Sequence, residues 1–197
     1  MKRPDPQKLK YCQLYQTMAK AAAQQTEAKR HQVGGVLVTP SGAIFTGWNG
    51  TLPGDDNNCE TGEYLPDEGR RRTGNNVVHA EHNIIAWASR SGVPLEGSHL
   101  YITRAPCPSC AIMLLTHGVT AVYYEEMHDD LKGLEILGKH GVELQDWVGQ
   151  RDALRALYPV PEFKLGGSNV LCIRLGCTIC HGRGYTEKGY CPGKTPF

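Results

Sequence analysis

The sequence predicts an α/β fold, with helices packed on a mostly parallel or mixed sheet. Two observations carry that expectation. Strand-like and helix-like segments alternate between residues 33 and 144, with five strand signals in all, and glycines close the helical stretches at Gly92, Gly118 and Gly141. The chain has 197 residues, 40% of them hydrophobic and 21% charged, which suits one domain of ordinary size with a substantial core and an appendage.

Taken in order, residues 7–29 read as a helix, because Leu9, Cys12, Leu14, Tyr15, Met18 and Ala22 recur near helical spacing. Residues 33–39 read as a strand, Pro40-Ser41-Gly42 as a tight turn, and 43–48 as the returning strand of a hairpin. Residues 49 to about 76 are polar and rich in turn formers, and a loop of that length is usually functional or disordered; Arg70-Arg71-Arg72 within it also reads as a solvated run. A helix over 79–89, a strand over 100–103, a helix over 107–116, a strand over 119–124, a helix over 131–140 and a strand starting at 142–144 complete the alternation.

The chemistry-bearing residues lie in two of these segments. His79-Ala80-Glu81 and Pro106-Cys107-Pro108-Ser109-Cys110 read as H-x-E followed by P-C-x-x-C. One imidazole and two thiolates give Zn²⁺ three protein ligands and leave the fourth tetrahedral position for water. A carboxylate two residues from the histidine can move protons without occupying the metal. Each motif alone is weak, since a lone C-x-x-C is also a redox pair or half of a structural site. Both motifs open helices, where the N-terminal partial charge and free N–H groups favour thiolates.

The remaining composition narrows the setting. Formal net charge is +1, so no global field argues for long nucleic acid as a partner. No stretch approaches the ~20 apolar residues of a membrane span, and Met1-Lys2-Arg3-Pro4 leads to no apolar signal core. A cytoplasmic protein without membrane partners is expected. Its eight cysteines then read as metal ligands and buried thiols rather than a disulfide framework. Cys12 falls on the apolar face of the first helix and reads as core, and His82, Asn83 and His117 read as polar packing groups near the metal helices.

From about residue 19 to residue 146 the chain resembles the cytidine deaminase superfamily, and within it the deoxycytidylate (dCMP) deaminases. The metal motifs carry the superfamily. Thr103-Arg104-Ala105 before Pro106 and His128-Asp129 belong to the match as well, and the Trp48-Asn49-Gly50-Thr51 loop with Asn58-Cys59-Glu60 narrows it to nucleotide monophosphates. The resemblance implies a three-layer α/β/α fold on a central mixed five-stranded sheet. It implies hydrolysis of dCMP to dUMP and ammonia, supplying dUMP for dTTP synthesis. Zn²⁺ is then held by His79, Cys107 and Cys110, a zinc-activated hydroxide attacks C4 of the base, and Glu81 shuttles protons. Backbone at Ala80 and Pro106 holds the base, Asn49 the sugar, and Thr26 and Arg30 the 5′-phosphate, with Thr51 a further polar candidate. A homo-oligomer, a hexamer in relatives, and dCTP and dTTP as effectors are also implied. Trp48, Leu52 and Met127 depart from the family pattern, Met127 replacing an aromatic. The alternatives are a dCTP-accepting or bifunctional enzyme, a tRNA or single-stranded DNA base deaminase with the same metal motifs, and a non-catalytic zinc module.

Domain organisation follows from where the resemblance ends: a deaminase domain over 1–150 and a cysteine-rich extension over 151–197. The extension carries Cys172, Cys177-Thr178-Ile179-Cys180-His181-Gly182-Arg183-Gly184 and Cys191. A second, structural zinc is expected there, with ligands drawn from Cys177, Cys180, Cys191 and one of Cys172, His181 or Cys59. Cys59 enters because some viral relatives use cysteines around the core for a structural zinc, and Ala28 stands in place of one of them here.

Overall fold

The computed structural model describes residues 9–147 and, further on, the strand residues 185–186 and 189–190. The chain divides into two units, Met1–Leu154 and Arg155–Phe197. In chain order the first unit contains α1 (Leu9–Ala23), β1 (Gly34–Val38), β2 (Ile44–Trp48), β3 (Gly50–Thr51), β4 (Tyr64–Leu65), β5 (Arg70–Arg71), β6 (Val77–Val78), α2 (Ala80–Arg90), β7 (Ser98–Arg104), α3 (Pro108–Thr116), β8 (Val119–Glu126), α4 (Lys132–Lys139) and β9 (Glu143–Asp146). In the second unit, β10 (Tyr185–Thr186) pairs antiparallel with β11 (Gly189–Tyr190).

Five strands form one mixed sheet in the order β2-β1-β7-β8-β9. β1 is antiparallel to both β2 and β7, whereas β7, β8 and β9 run parallel. Alternation along each strand separates two cores. Val36, Val38, Tyr101, Ala121 and Tyr123 face one side with Cys12, Tyr15 and Ala19 of α1. Leu37, Leu100, Ile102 and Val122 face the other with Ile84, Leu114 and Leu137 of α2, α3 and α4. The result is a three-layer α/β/α sandwich around a mixed five-stranded sheet. Each fully buried aliphatic side chain in it contributes roughly 1.5–3 kcal/mol.

Two local differences from the sequence expectation have identifiable causes. α1 stops at Ala23 rather than continuing to residue 29. The Thr26 hydroxyl donates to the Asn49 carbonyl at 2.6 Å and accepts from the Ala28 N–H at 3.1 Å, a local turn that competes with helix. The long loop contains two short ladders, β3 with β6 and β4 with β5, joined in the second case through a 3-10 turn at Pro66–Glu68. Among the described residues no helix is long and apolar enough to cross a membrane.

Strand directions place many termini on one edge of the sheet. The start of β1 pairs with the end of β2 (Gly34 with Trp48), and the ends of β7 and β8 lie side by side (Arg104 with Glu126). α2 leads into the start of β7 and α3 leaves its end, so both helices begin at that edge. Gly34 allows the close approach of α1: a Cβ there would fall on the backbone of Ala23 and Ala19. Gly34→Val is therefore expected to destabilise the fold by about 1–3 kcal/mol, read as a Tm lowered by several degrees in thermal melts.

Candidate active site and metal centre

His79 and Cys107 occupy equivalent positions, each the N-cap of its helix in extended backbone (φ −69°, ψ 154° and φ −69°, ψ 168°). Neither side chain caps its own helix, so both are available to a ligand. The cap carbonyls start the helices, accepting from Asn83 N–H at 3.1 Å and Ala111 N–H at 2.9 Å. Pro108 follows Cys107 at the first helical position, where its missing N–H costs nothing. Cys110 lies three residues on, on the same helix face.

These elements bring three donors together. His79 Nδ1 lies 3.4 Å from Cys110 Sγ and 3.6 Å from Cys107 Sγ, and the three ligand atoms are within 4.8 Å of one another. His82 Nδ1 approaches Cys110 Sγ at 3.6 Å from an exposed position. The Cys107 thiol is held low, because Cys110, then His79 and the Ser109 hydroxyl, donate to its thiolate. The neighbouring Cys107 in turn holds the proton on Cys110, with burial adding to the effect. The Cys107 thiolate also raises His79. Two sulfurs and an imidazole thus crowd into a site that carries one thiolate readily and resists a second. A dication removes that resistance, and an N/S₂ donor set at this spacing fits zinc.

Glu81, on the first turn of α2, is 4% exposed. Burial pushes its carboxyl up to about 7, against the pull of nearby backbone N–H and of His79. It lines a cavity of about 250 Å³ together with His79, Ala80, Cys107 and Asn49.

The other sequence candidates fall in different places. Asn49 spans the loop before β1, accepting from Val33 N–H and donating to the His31 carbonyl, both at 2.9 Å. Arg30 lines the cavity, its guanidinium 3.5 Å from Glu68, and the Glu60 carboxylate accepts from the Lys29 and Arg30 N–H groups behind it. Pro106 is buried beside the cavity, whose wall is formed by its neighbours Ala105 and Cys107. Thr26 is not among the lining residues. Thr51 lines a separate pocket with Trp48 and Cys59. Asn83 donates to the Trp48 carbonyl at 2.8 Å, tying α2 to β2, and His117 is hydrogen-bonded to the Met113 carbonyl at the far end of α3.

Cys59 is buried and belongs to no metal-ligand cluster among the described residues. Cys172, Cys177, Cys180, His181 and Cys191 lie outside the described residues. Sequence reasoning gave no role to His31, Arg104, His128 and Asp129, which also line the cavity. The available signal was position: Arg104 ends β7 three residues before Cys107.

A three-layer sandwich with a His-Cys-Cys cluster and a buried glutamate at the mouths of two helices defines a zinc-type deaminase scaffold. The chain belongs to the cytidine and deoxycytidylate deaminase family, whose zinc-binding-region model matches residues 9–126, more than half of its length. It is 31% identical over 132 residues to the deoxycytidylate deaminase of Mycobacterium phage D29, covering 63% of this chain and 97% of that one. It is 29% identical over 120 residues to ComE operon protein 2 of Bacillus subtilis and spans 61% of that protein, less than two thirds of its length. The crystal structure of the dCMP deaminase from cyanophage S-TIM5 in complex with dCMP and dUMP is similar at a TM-score of 0.63 and 35% identity, over 71% of this chain and 98% of that one.

One backbone contact bears on the His79, Cys107 and Cys110 cluster. Gly133 of α4 packs against the Pro106–Cys107 turn, and a Cβ there would fall on the Pro106 carbonyl. Gly133→Ala is expected to shift Cys107 and weaken zinc affinity roughly 10-fold, measured by competition with a chromophoric chelator, while circular dichroism stays that of the parent.

Proposed function

We propose that this protein hydrolyses dCMP to dUMP and ammonia, supplying dUMP for dTTP synthesis. The observation that supports it best is the buried Glu81 carboxyl facing the same cavity as the His79, Cys107 and Cys110 cluster. His79, Cys107 and Cys110 would hold zinc, and a zinc ion there lowers the pKa of coordinated water to about 7, which makes hydroxide available at neutral pH.

The chain's own residues do the rest. A carboxyl near 7 both accepts and returns a proton at neutral pH, so Glu81 protonates N3 of the base and then the departing amino group. Ala80, on the cavity wall, supplies backbone to the base edge, and Asn49 faces the sugar. The dCMP- and dUMP-bound cyanophage S-TIM5 structure supports a deoxynucleotide as substrate. A dCTP-accepting activity, dCTP and dTTP as effectors, and a homo-oligomer of six chains extend the reading by resemblance. The exposed Trp87 and Ile112 on α2 and α3 suit contact with a second copy. Residues 1–150 form the deaminase domain in this reading, and 151–197 a cysteine-rich extension with a structural zinc.

Glu81→Gln is expected to retain zinc and dUMP binding but lose roughly 100-fold or more in kcat, followed by loss of cytosine absorbance. Normal turnover in that variant would refute the shuttle. A Cys177→Ser/Cys180→Ser double variant is expected to lose one zinc equivalent per chain in metal analysis, with the catalytic zinc retained. An unchanged zinc content would rule out the structural site.

A further inference from the structure

The cavity is lined by more arginine N–H donors than deamination of a base requires. Two guanidiniums, Arg30 and Arg104, and two imidazoles, His31 and His128, line it alongside one exposed carboxylate, Asp129. These groups are neighbours in space. His31 is held low by burial first, then by Arg104 and by Arg30, and Asp129 is held low chiefly by Arg104. His31 is thus held toward its neutral form, and the cationic groups of the cavity are the guanidiniums of Arg30 and Arg104, paired with Glu68 and with Asp129 and Glu126.

Arg104 is the better-prepared of the two guanidiniums. Its side chain is 14% exposed, and its Nη2 meets the Asp129 carboxylate at 2.9 Å while Nη1 lies 3.8 Å from Glu126. Both carboxylates are themselves largely exposed, at 79% and 71%. Among the described residues no other carboxylate pairs with the guanidinium. A guanidinium has five N–H donors in a planar fork, so donors remain for an oxyanion in the cavity. Arg30 shows the same shortage of acceptors: its Nε is buried without a hydrogen-bond partner. Thr26 offers nothing comparable, because its hydroxyl is already engaged with Asn49 and Ala28.

We propose that Arg104 is a specificity-determining residue that binds the 5′-phosphate of the nucleotide, facing Arg30 across the cavity. The proposal rests on the cytosine-deoxynucleotide reading above, since the phosphate is the one dianionic group such a substrate carries. Bidentate contact between a guanidinium and a phosphate is stronger and more directional than a neutral hydrogen bond.

The test compares kcat/KM for dCMP and for deoxycytidine in the zinc-loaded full chain. Arg104→Gln lowers the dCMP-to-deoxycytidine ratio by roughly 10- to 100-fold, through KM. Arg104→Lys, which keeps the charge and loses the fork, recovers part of it. Arg90→Gln, the same charge change at the end of α2, leaves the ratio at the parent value. A ratio in Arg104→Gln equal to the parent's overturns the proposal. Calorimetric titration with dUMP separates it from the deaminase reading. A parent that deaminates neither substrate yet binds dUMP in an Arg104-dependent manner sinks the reaction and keeps the phosphate site. Equal dUMP affinity in parent and Arg104→Gln sinks the phosphate site.

Discussion

Everything at the site depends on two helix N-termini meeting at one edge of the sheet. α2 ends where β7 begins, and α3 begins where β7 ends, so both helices run antiparallel to that strand and start at its C-terminal edge. His79 and Cys107, the residues just before each helix, are thereby brought within ligand distance although 28 positions separate them. The edge gathers more than the ligands. β1 starts there, which brings Arg30 and His31; β2 ends there, which brings Asn49; β8 ends there, which brings His128 and Asp129. Crevices outside the carboxyl ends of strands are the usual ligand sites of α/β sheets, and here the antiparallel β1–β2 hairpin adds its own termini to that edge.

Two effects oppose each other at Glu81, and their sizes decide the outcome. A carboxylate in the first turn of a helix gains roughly 0.3–1 kcal/mol from the N-terminal partial charge. Raising a carboxyl from 4.5 to about 7 corresponds to roughly 3 kcal/mol in favour of the protonated form, so burial wins by a wide margin. The same low-dielectric surroundings act on the cysteine pair, where the first thiolate is welcomed by its neighbours and the second is resisted. A cation held by His79, Cys107 and Cys110 would favour both thiolates, because positive charge among buried thiolates offsets what burial imposes on them.

The sandwich and its metal centre were legible in the sequence because both are specified locally. The apolar run Val36-Leu37-Val38, the glycine stops at Gly118 and Gly141, and Pro108 after Cys107 each act within a few residues. Ligands that must sit at helix N-caps leave a short-range signature. The remainder of the cavity is different. The resemblance pointed to Asn49 as a sugar contact, and the structure places it in the cavity wall with its amide gripping the loop at His31 and Val33, 16 to 18 positions away. Thr51, close in sequence to Asn49, faces another pocket once β3 pairs with β6. Arg104 and Asp129 become neighbours only because β7 and β8 are parallel and in register at Arg104 and Glu126. No periodicity within one segment announces a pairing between two.

That division has a catalytic consequence. His79, Glu81, Cys107 and Cys110, which the proposed function assigns to the metal and the proton, stand at the starts of α2 and α3, whereas the basic groups stand on the termini of β1 and β7 and on the loop after β8. Contacts to a distant part of the substrate lower the barrier only if they fix the reacting atoms in place. Gly133 couples the two sets: α4, which follows the His128–Asp129 loop, rests its backbone on the Pro106–Cys107 turn. A displacement of this loop would therefore be felt at Cys107 through packed backbone, because α4 and the Pro106–Cys107 turn leave no room between them at Gly133.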